Sequence, residues 1–179
     1  MSKFSTIAAV TLGLRDMIKA AMPPMVEVTT LPAAMAQTFV VQPGVRARVN
    51  VMFLRASVNT GFRNLSPGRD RDAVGVREAL GGELGLHYLI TVYGTADPEE
   101  EQSTERLFEG VHGVIMGSPV VGFRGSAPVL AEADSASNLD GARVLVESLS
   151  IEDIYRVFSA LRAEYRPTLA CVAMPSPRN

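Results

Sequence analysis

The chain has 179 residues, 47% of them hydrophobic, and a net charge of −2. This suits one globular domain with a sizeable core, and the near-neutral balance gives no reason to expect a nucleic-acid partner. The charge is unevenly placed: residues 1–77 hold ten Lys/Arg against four Asp/Glu, and residues 78–179 hold seven against fifteen. Such a split reads either as scattered surface charge or as what a subunit needs when one face meets the opposite face of its neighbour, as in a head-to-tail ring.

Ser5 to Met22 is predicted as an amphipathic helix, with Ile7, Val10, Leu14, Met17, Ile18 and Ala21 at the helical period. Its few apolar residues before Arg15, Asp16 and Lys19 do not make a signal peptide. No stretch of the chain approaches the roughly 18 apolar residues of a membrane span. The product is therefore expected to be cytoplasmic at synthesis. Pro23-Pro24 stops the helix, and Val26–Thr29 is β-prone. Leu31 to Gly44 reads as irregular, apart from a pairing-competent Thr38–Val41.

Val45 to Ser57 is a long strand candidate. Val45, Ala47, Val49, Val51 and Phe53 share one face. Arg46, Arg48 and Asn50 lie on the other, which is expected to be solvated or to meet a partner. Asn59 to Gly82 is a polar excursion too long for a casual connection. Its Arg63, Arg69, Arg71 and Arg77 are interleaved with acids, which reads either as a solvated, partly disordered loop between two strands or as a loop that orders against another subunit.

Leu84 to Gly94 is the organising strand. Leu84, Leu86, Tyr88, Ile90 and Val92 fall on one face, and His87, Leu89, Thr91 and Tyr93 on the other. Two apolar faces predict a central strand covered on both sides. Asp97-Pro98-Glu99-Glu100 opens a helix expected to end near Met116. Val120–Phe123 reads as a short strand, Ala131–Gly141 as an exposed loop and Val144–Leu149 as a strand. Ser150, with Asp153 three residues on, caps a third helix carrying Ile151, Ile154, Tyr155, Phe158 and Leu161. Thr168–Ala173 is a short apolar strand. The expected fold is α+β: a single domain over residues 1–174, a largely antiparallel mixed sheet flanked by about three helices, and a flexible tail at 175–179.

No catalytic constellation is visible. His87 and His112 lack companion ligands, so no metal or other cofactor is expected. Gly81-Gly82-Glu83-Leu84-Gly85 lacks the Lys and Ser/Thr of a phosphate loop. The acidic run Glu99, Glu100, Glu101, Glu105 and Glu109 reads as a solvated helix face. Cys171, the only cysteine, sits in an apolar run and reads as a buried thiol; it excludes an intrachain disulfide. The basic first half lacks the aromatic platform of a single-strand binder. The alternative to a structural role is a small ligand-binding or enzymatic domain centred on His87 and the acidic helix.

Four ordered segments carry a family likeness: Ile7–Asp16 with Pro23-Pro24 and Val28–Pro32; Val49–Leu54 with Asn59 and Phe62–Asn64; Leu84–Gly94 with its acidic helix; and Glu147–Leu161 with Tyr165–Thr168. In these the chain resembles the tail-terminator, or cap, proteins of phage-tail-like contractile injection systems of the antifeeding-prophage and Photorhabdus virulence cassette type. The resemblance implies a non-enzymatic subunit. It implies a six-fold ring that ends tube and sheath polymerisation and joins the two, within a particle kept in the cytoplasm or released. The implied partners are other copies of the chain, the sheath protein and the inner-tube protein. Some such proteins continue into a second β-rich domain. On this reading Arg46, Arg48, Arg63, Arg69, Arg71 and Arg77 form one interface and Glu99, Glu100 and Glu101 the opposing one. Thr168, Leu169, Ala170, Cys171 and Val172, next to a loose tail, are expected to accept a sheath arm as an added strand.

Overall fold

In the computed structural model the described residues are 4–38, 44–58, 84–94, 101–122 and 139–177. Helix α1 spans Phe4–Ala21, followed by strand β1 (Val26–Thr29) and a single helical turn, α2 (Ala33–Ala36). Strands β2 (Ala47–Val58) and β3 (Leu84–Tyr93) precede helix α3 (Glu101–Gly117). Strands β4 (Val120–Gly122) and β5 (Leu139–Glu147), helix α4 (Ile151–Ala160) and strand β6 (Thr168–Pro177) complete the order.

The six strands form one sheet in the order β1-β2-β3-β6-β5-β4. Only β1–β2 is parallel; the other four pairings are antiparallel. The fold is thus the expected α+β with a largely antiparallel mixed sheet. β3 lies inside it, between β2 and β6.

The core lies between α1 and α3 and one sheet face. Val10, Leu14 and Ile18, spaced four apart on α1, are fully buried with Val49, Val51, Leu86, Tyr88, Ile90, Val92, Val111 and Ile115. Spacing by four on the helix and by two on β2 and β3 turns both apolar sets toward the same interior. Tyr88 brings a hydroxyl into this layer. The Thr11 hydroxyl donates to the Ile7 carbonyl at 2.8 Å and lies 3.0 Å from Tyr88 Oη, so both are satisfied. Burial pushes the Tyr88 hydroxyl well above its ordinary range.

The opposite face is also buried along β3: His87, Leu89, Thr91 and Tyr93 are all under one-tenth exposed. The turn after β1 contributes here. Asn50, 1% exposed, accepts from the Leu31 amide and the Thr29 hydroxyl and donates to the Leu31 carbonyl, pinning that turn to β2. Arg48 clamps it further: its guanidinium reaches Glu27 at 2.8 Å and the Ala36 carbonyl at 3.1 Å.

Several boundaries differ from expectation for identifiable reasons. The one-turn α2 lies in a stretch read as irregular, because four residues after a proline leave no periodicity. β5 begins at Leu139, inside the expected exposed loop, and ends at Glu147 rather than Leu149. β6 runs through Pro177, so the expected loose tail is largely strand. Pro175 and Pro177 stand opposite Ala142 and Leu139 in the β5 register. The excursion 59–82, the pairing-competent 39–41 and the helix opening 97–100 lie outside the described residues.

Candidate functional site

Three side chains from three strands meet on the face of the sheet away from α1. Ser57 Oγ lies 2.7 Å from His87 Nε2, and His87 Nδ1 lies 2.8 Å from Glu147 Oε2. His87 is 8% exposed and the Glu147 side chain 32%. The imidazole thus reaches back to β2 and across β6 to β5.

A register shift builds this arrangement. β2 pairs with β3 in step up to Phe53, opposite Tyr88, and then slips so that Arg55 stands opposite His87 and Ser57 opposite Gly85. Strict alternation would place Ser57 with Val51 and Phe53, toward the helices. The bulge moves it to the His87 face. Gly85 leaves the space: a Cβ there would stand 3.0 Å from Ser57 Oγ and 3.2 Å from Val172 Cγ2. Neither Ser57 nor Glu147 stood out in the sequence. A single serine late in a strand and a glutamate ending another carry no signal without the register.

Chemically the group is a hydroxyl, an imidazole and a carboxylate in hydrogen-bonded sequence, the order of an activated serine. Its setting differs from that of a hydrolase. Ser57 sits within the β2–β3 ladder rather than on a sharp turn. An open cleft of about 370 Å³ runs between the start of β6 and α4. Of the three residues only Glu147 lines it, with Val146, Leu149, Ile154 and Leu169. The acidic helix is elsewhere: Val111 and Ile115 seat α3 on the core face, opposite His87. The expected pairing of His87 with that helix is therefore corrected. Among the described residues no cluster of His, Cys, Asp and Glu is arranged to hold a metal ion, and no helix is long and apolar enough to cross a membrane.

The expected interface residues scatter. Arg46 is exposed beside β1. Arg48 is 9% exposed and committed to Glu27 and Ala36, so it offers no free cation to a partner. Glu101 opens α3. Arg63, Arg69, Arg71, Arg77, Glu99 and Glu100 lie outside the described residues. Along β6, Leu169, Ala170 and Cys171 are buried, while Thr168 and Val172 are partly so. β6 pairs with β3 on one side and with β5 on the other, from Ala170 onward. Strand addition at Ala170, Cys171 and Val172 is overturned, because both edges there are already taken, while Thr168 and Leu169 pair with β3 alone. Burial, and then the Glu147 carboxylate, push the Cys171 thiol up to about 12.

Residues 9–177 match the family described as the Pvc16 N-terminal domain. The chain belongs to this family. Its fold is shared by the sheath/tube terminator, in the extended state, of an extracellular contractile injection system (PVC), at a TM-score of 0.59 and 14% identity. That match covers 100% of this chain and 57% of the terminator. The tube-terminating cap of the anti-feeding prophage matches at 0.57 and 13% identity, over 93% of this chain and 53% of the cap. The Pvc16-type chain described here thus spans a little over half the length of these solved relatives. No curated protein matches it.

Proposed function

We propose that this chain is a structural cap subunit of a contractile tail-like particle. Copies form a six-membered ring that ends the tube and the sheath and ties their last layers together. The supporting observation is that one Pvc16 N-terminal domain accounts for residues 9–177, in the fold of a sheath/tube terminator. The chain is made in the cytoplasm and ends in an assembled particle, with no catalytic role of its own. The basic residues Arg46, Arg63, Arg69, Arg71 and Arg77 meet the acidic Glu99, Glu100 and Glu101 of a neighbouring copy. Deleting the gene tests the reading. Negative-stain images are expected to show tubes of uncontrolled length or particles without sheath. Particles of regular length with sheath intact would overturn it.

The hydrogen-bonded Ser57, His87 and Glu147 favour one other reading, an esterase-type serine in the same domain. A fluorophosphonate probe distinguishes the two. Covalent labelling of Ser57 that vanishes in His87→Ala would establish a nucleophile. No labelling leaves the trio as a bridge between strands.

A further inference from the structure

Resting on the ring reading above, we propose that neighbouring copies join edge to edge. The outer edge of β1 in one copy lies along the outer edge of β4 in the next, so the sheet continues through the ring.

β1 and β4 are the two end strands, and among the described residues each is paired on one side only. An unpaired edge is a template for another strand unless something covers or blunts it. Both edges are flanked instead by exposed apolar side chains. Met25 (47% exposed) directly precedes β1, and Val120 (60%) opens β4, with Met116 (60%) four residues before it. These supply the burial that a short parallel pairing lacks on its own.

Strand direction makes the two edges compatible. β1 runs parallel to β2, and four antiparallel steps lead from β2 to β4, so β1 and β4 point the same way. A copy related by rotation therefore lays its β1 parallel to β4. That is a heterologous contact, the kind that closes a ring, and it uses both edges of every copy.

The stagger of the sheet fits closure as well. Val28 lies level with Val49 and Val92, and the Val92 amide meets the Pro167 carbonyl. Val120 lies level with Arg143 and Met174. The two edges are thus offset from 167 to 174 along β6, roughly 23 Å, while one six-strand repeat spans roughly 29 Å across. Joining edge to edge under that offset tilts the strands by roughly 40° from the ring axis, within the range of closed sheets.

Charge agrees. The flank strands differ in the sign of their net charge: β1 and β2 carry Arg48 and Arg55 against Glu27, and β4 and β5 carry Asp140 and Glu147 against Arg143.

The test uses Met25→Cys and Val120→Cys, both at exposed positions, in the chain co-expressed with the tube and sheath proteins of its particle. Cys171 is fully buried and does not compete. A bis-maleimide bridge within one copy leaves the mass of a single chain, so only bridges between copies build a ladder. The double variant is expected to give a covalent ladder up to the full ring, and each single variant none of it. Rings seen at particle ends without a ladder would overturn the edge contact and leave the ring reading standing. Particle ends without rings, in parent and variant alike, would overturn both.

Discussion

His87 shows how one residue changes meaning with its surroundings. Its ring nitrogens have a hydroxyl on one side and a carboxylate on the other, both at hydrogen-bond distance. At 8% exposure, loss of either partner leaves a polar nitrogen poorly solvated. His87→Ala is expected to lower stability by about 1–3 kcal/mol in urea unfolding. A double-mutant cycle with Glu147→Gln is expected to give a coupling of about 1 kcal/mol or more, as for groups in direct contact. Asn50 is the second such residue, because its amide satisfies both backbone groups of Leu31. Asn50→Ala is expected to cost about 1–3 kcal/mol and to loosen the turn before α2.

Buried acids, Tyr88, Tyr93 and Cys171, give the chain an alkaline limit. Burial raises Tyr88, and burial with Glu147 raises Cys171 to about 12 from an ordinary 9.0. A raised folded-state value means the unfolded chain gives up its proton first. The stabilisation is full below about pH 9 and falls as pH climbs toward the folded values, by about 1.4 kcal/mol per pH unit per group. Chemical denaturation at pH 8 and pH 10.5 is expected to show that fall, and Cys171→Ala to flatten it. An equal slope in the variant would remove the thiol from the account.

At the element scale, β6 is the strand on which the sheet depends. It joins β3 to β5 through Ala170–Ala173, pairs with β3 alone before them and with β5 alone after them, and so lies inside the sheet. Deleting residues 168–179 is expected to unfold the domain, read as loss of the cooperative circular-dichroism transition. Any loss of particle attachment in that deletion would be a folding effect. β4 is held more lightly, by three residues against β5. A Cβ at Gly141 would stand 2.6 Å from the Val121 carbonyl oxygen, which must then move. Gly141→Ala is expected to detach β4, with faster amide exchange at Val121 and little change in β2 and β3. The cap of α4 is conventional: the Ser150 hydroxyl accepts from the Asp153 amide at 3.1 Å. Ser150→Ala is expected to cost about 1 kcal/mol.

At the scale of the whole molecule, the chain interleaves its halves. β3 and β6, far apart in sequence, are neighbours at the centre, with early strands on one flank and late ones on the other. The domain should therefore unfold in one transition. The same arrangement sets Arg48 and Arg55 against Glu27 on one flank and Asp140 and Glu147 against Arg143 on the other, so the flank strands differ in charge sign. The proposed ring, held partly by such charges, weakens as salt screens them. The copies released from isolated rings should rise between 0.05 and 0.5 M salt, read by mass photometry; the quoted salt range brackets Debye lengths of roughly 14 and 4 Å.

The sequence by itself determined the local order and its class. Alternation marked β3 as central, the four-residue spacing marked the core face of α1, and Ser150 with Asp153 marked the start of α4. These signals are local, and each residue carries its own. The likeness to cap proteins was also legible, because it rests on ordered segments and not on contacts. Only the tertiary structure decided what depends on register. The slip after Phe53 turns Ser57 toward His87, and the pairing of β5 with β6 brings Glu147 within reach of the same ring. It likewise took Arg48 out of the surface and β6 off the edge, since burial and edge position belong to neighbours that no short stretch of sequence names. A shift of one residue reverses every side chain beyond it, and alternation alone does not say where such a shift falls.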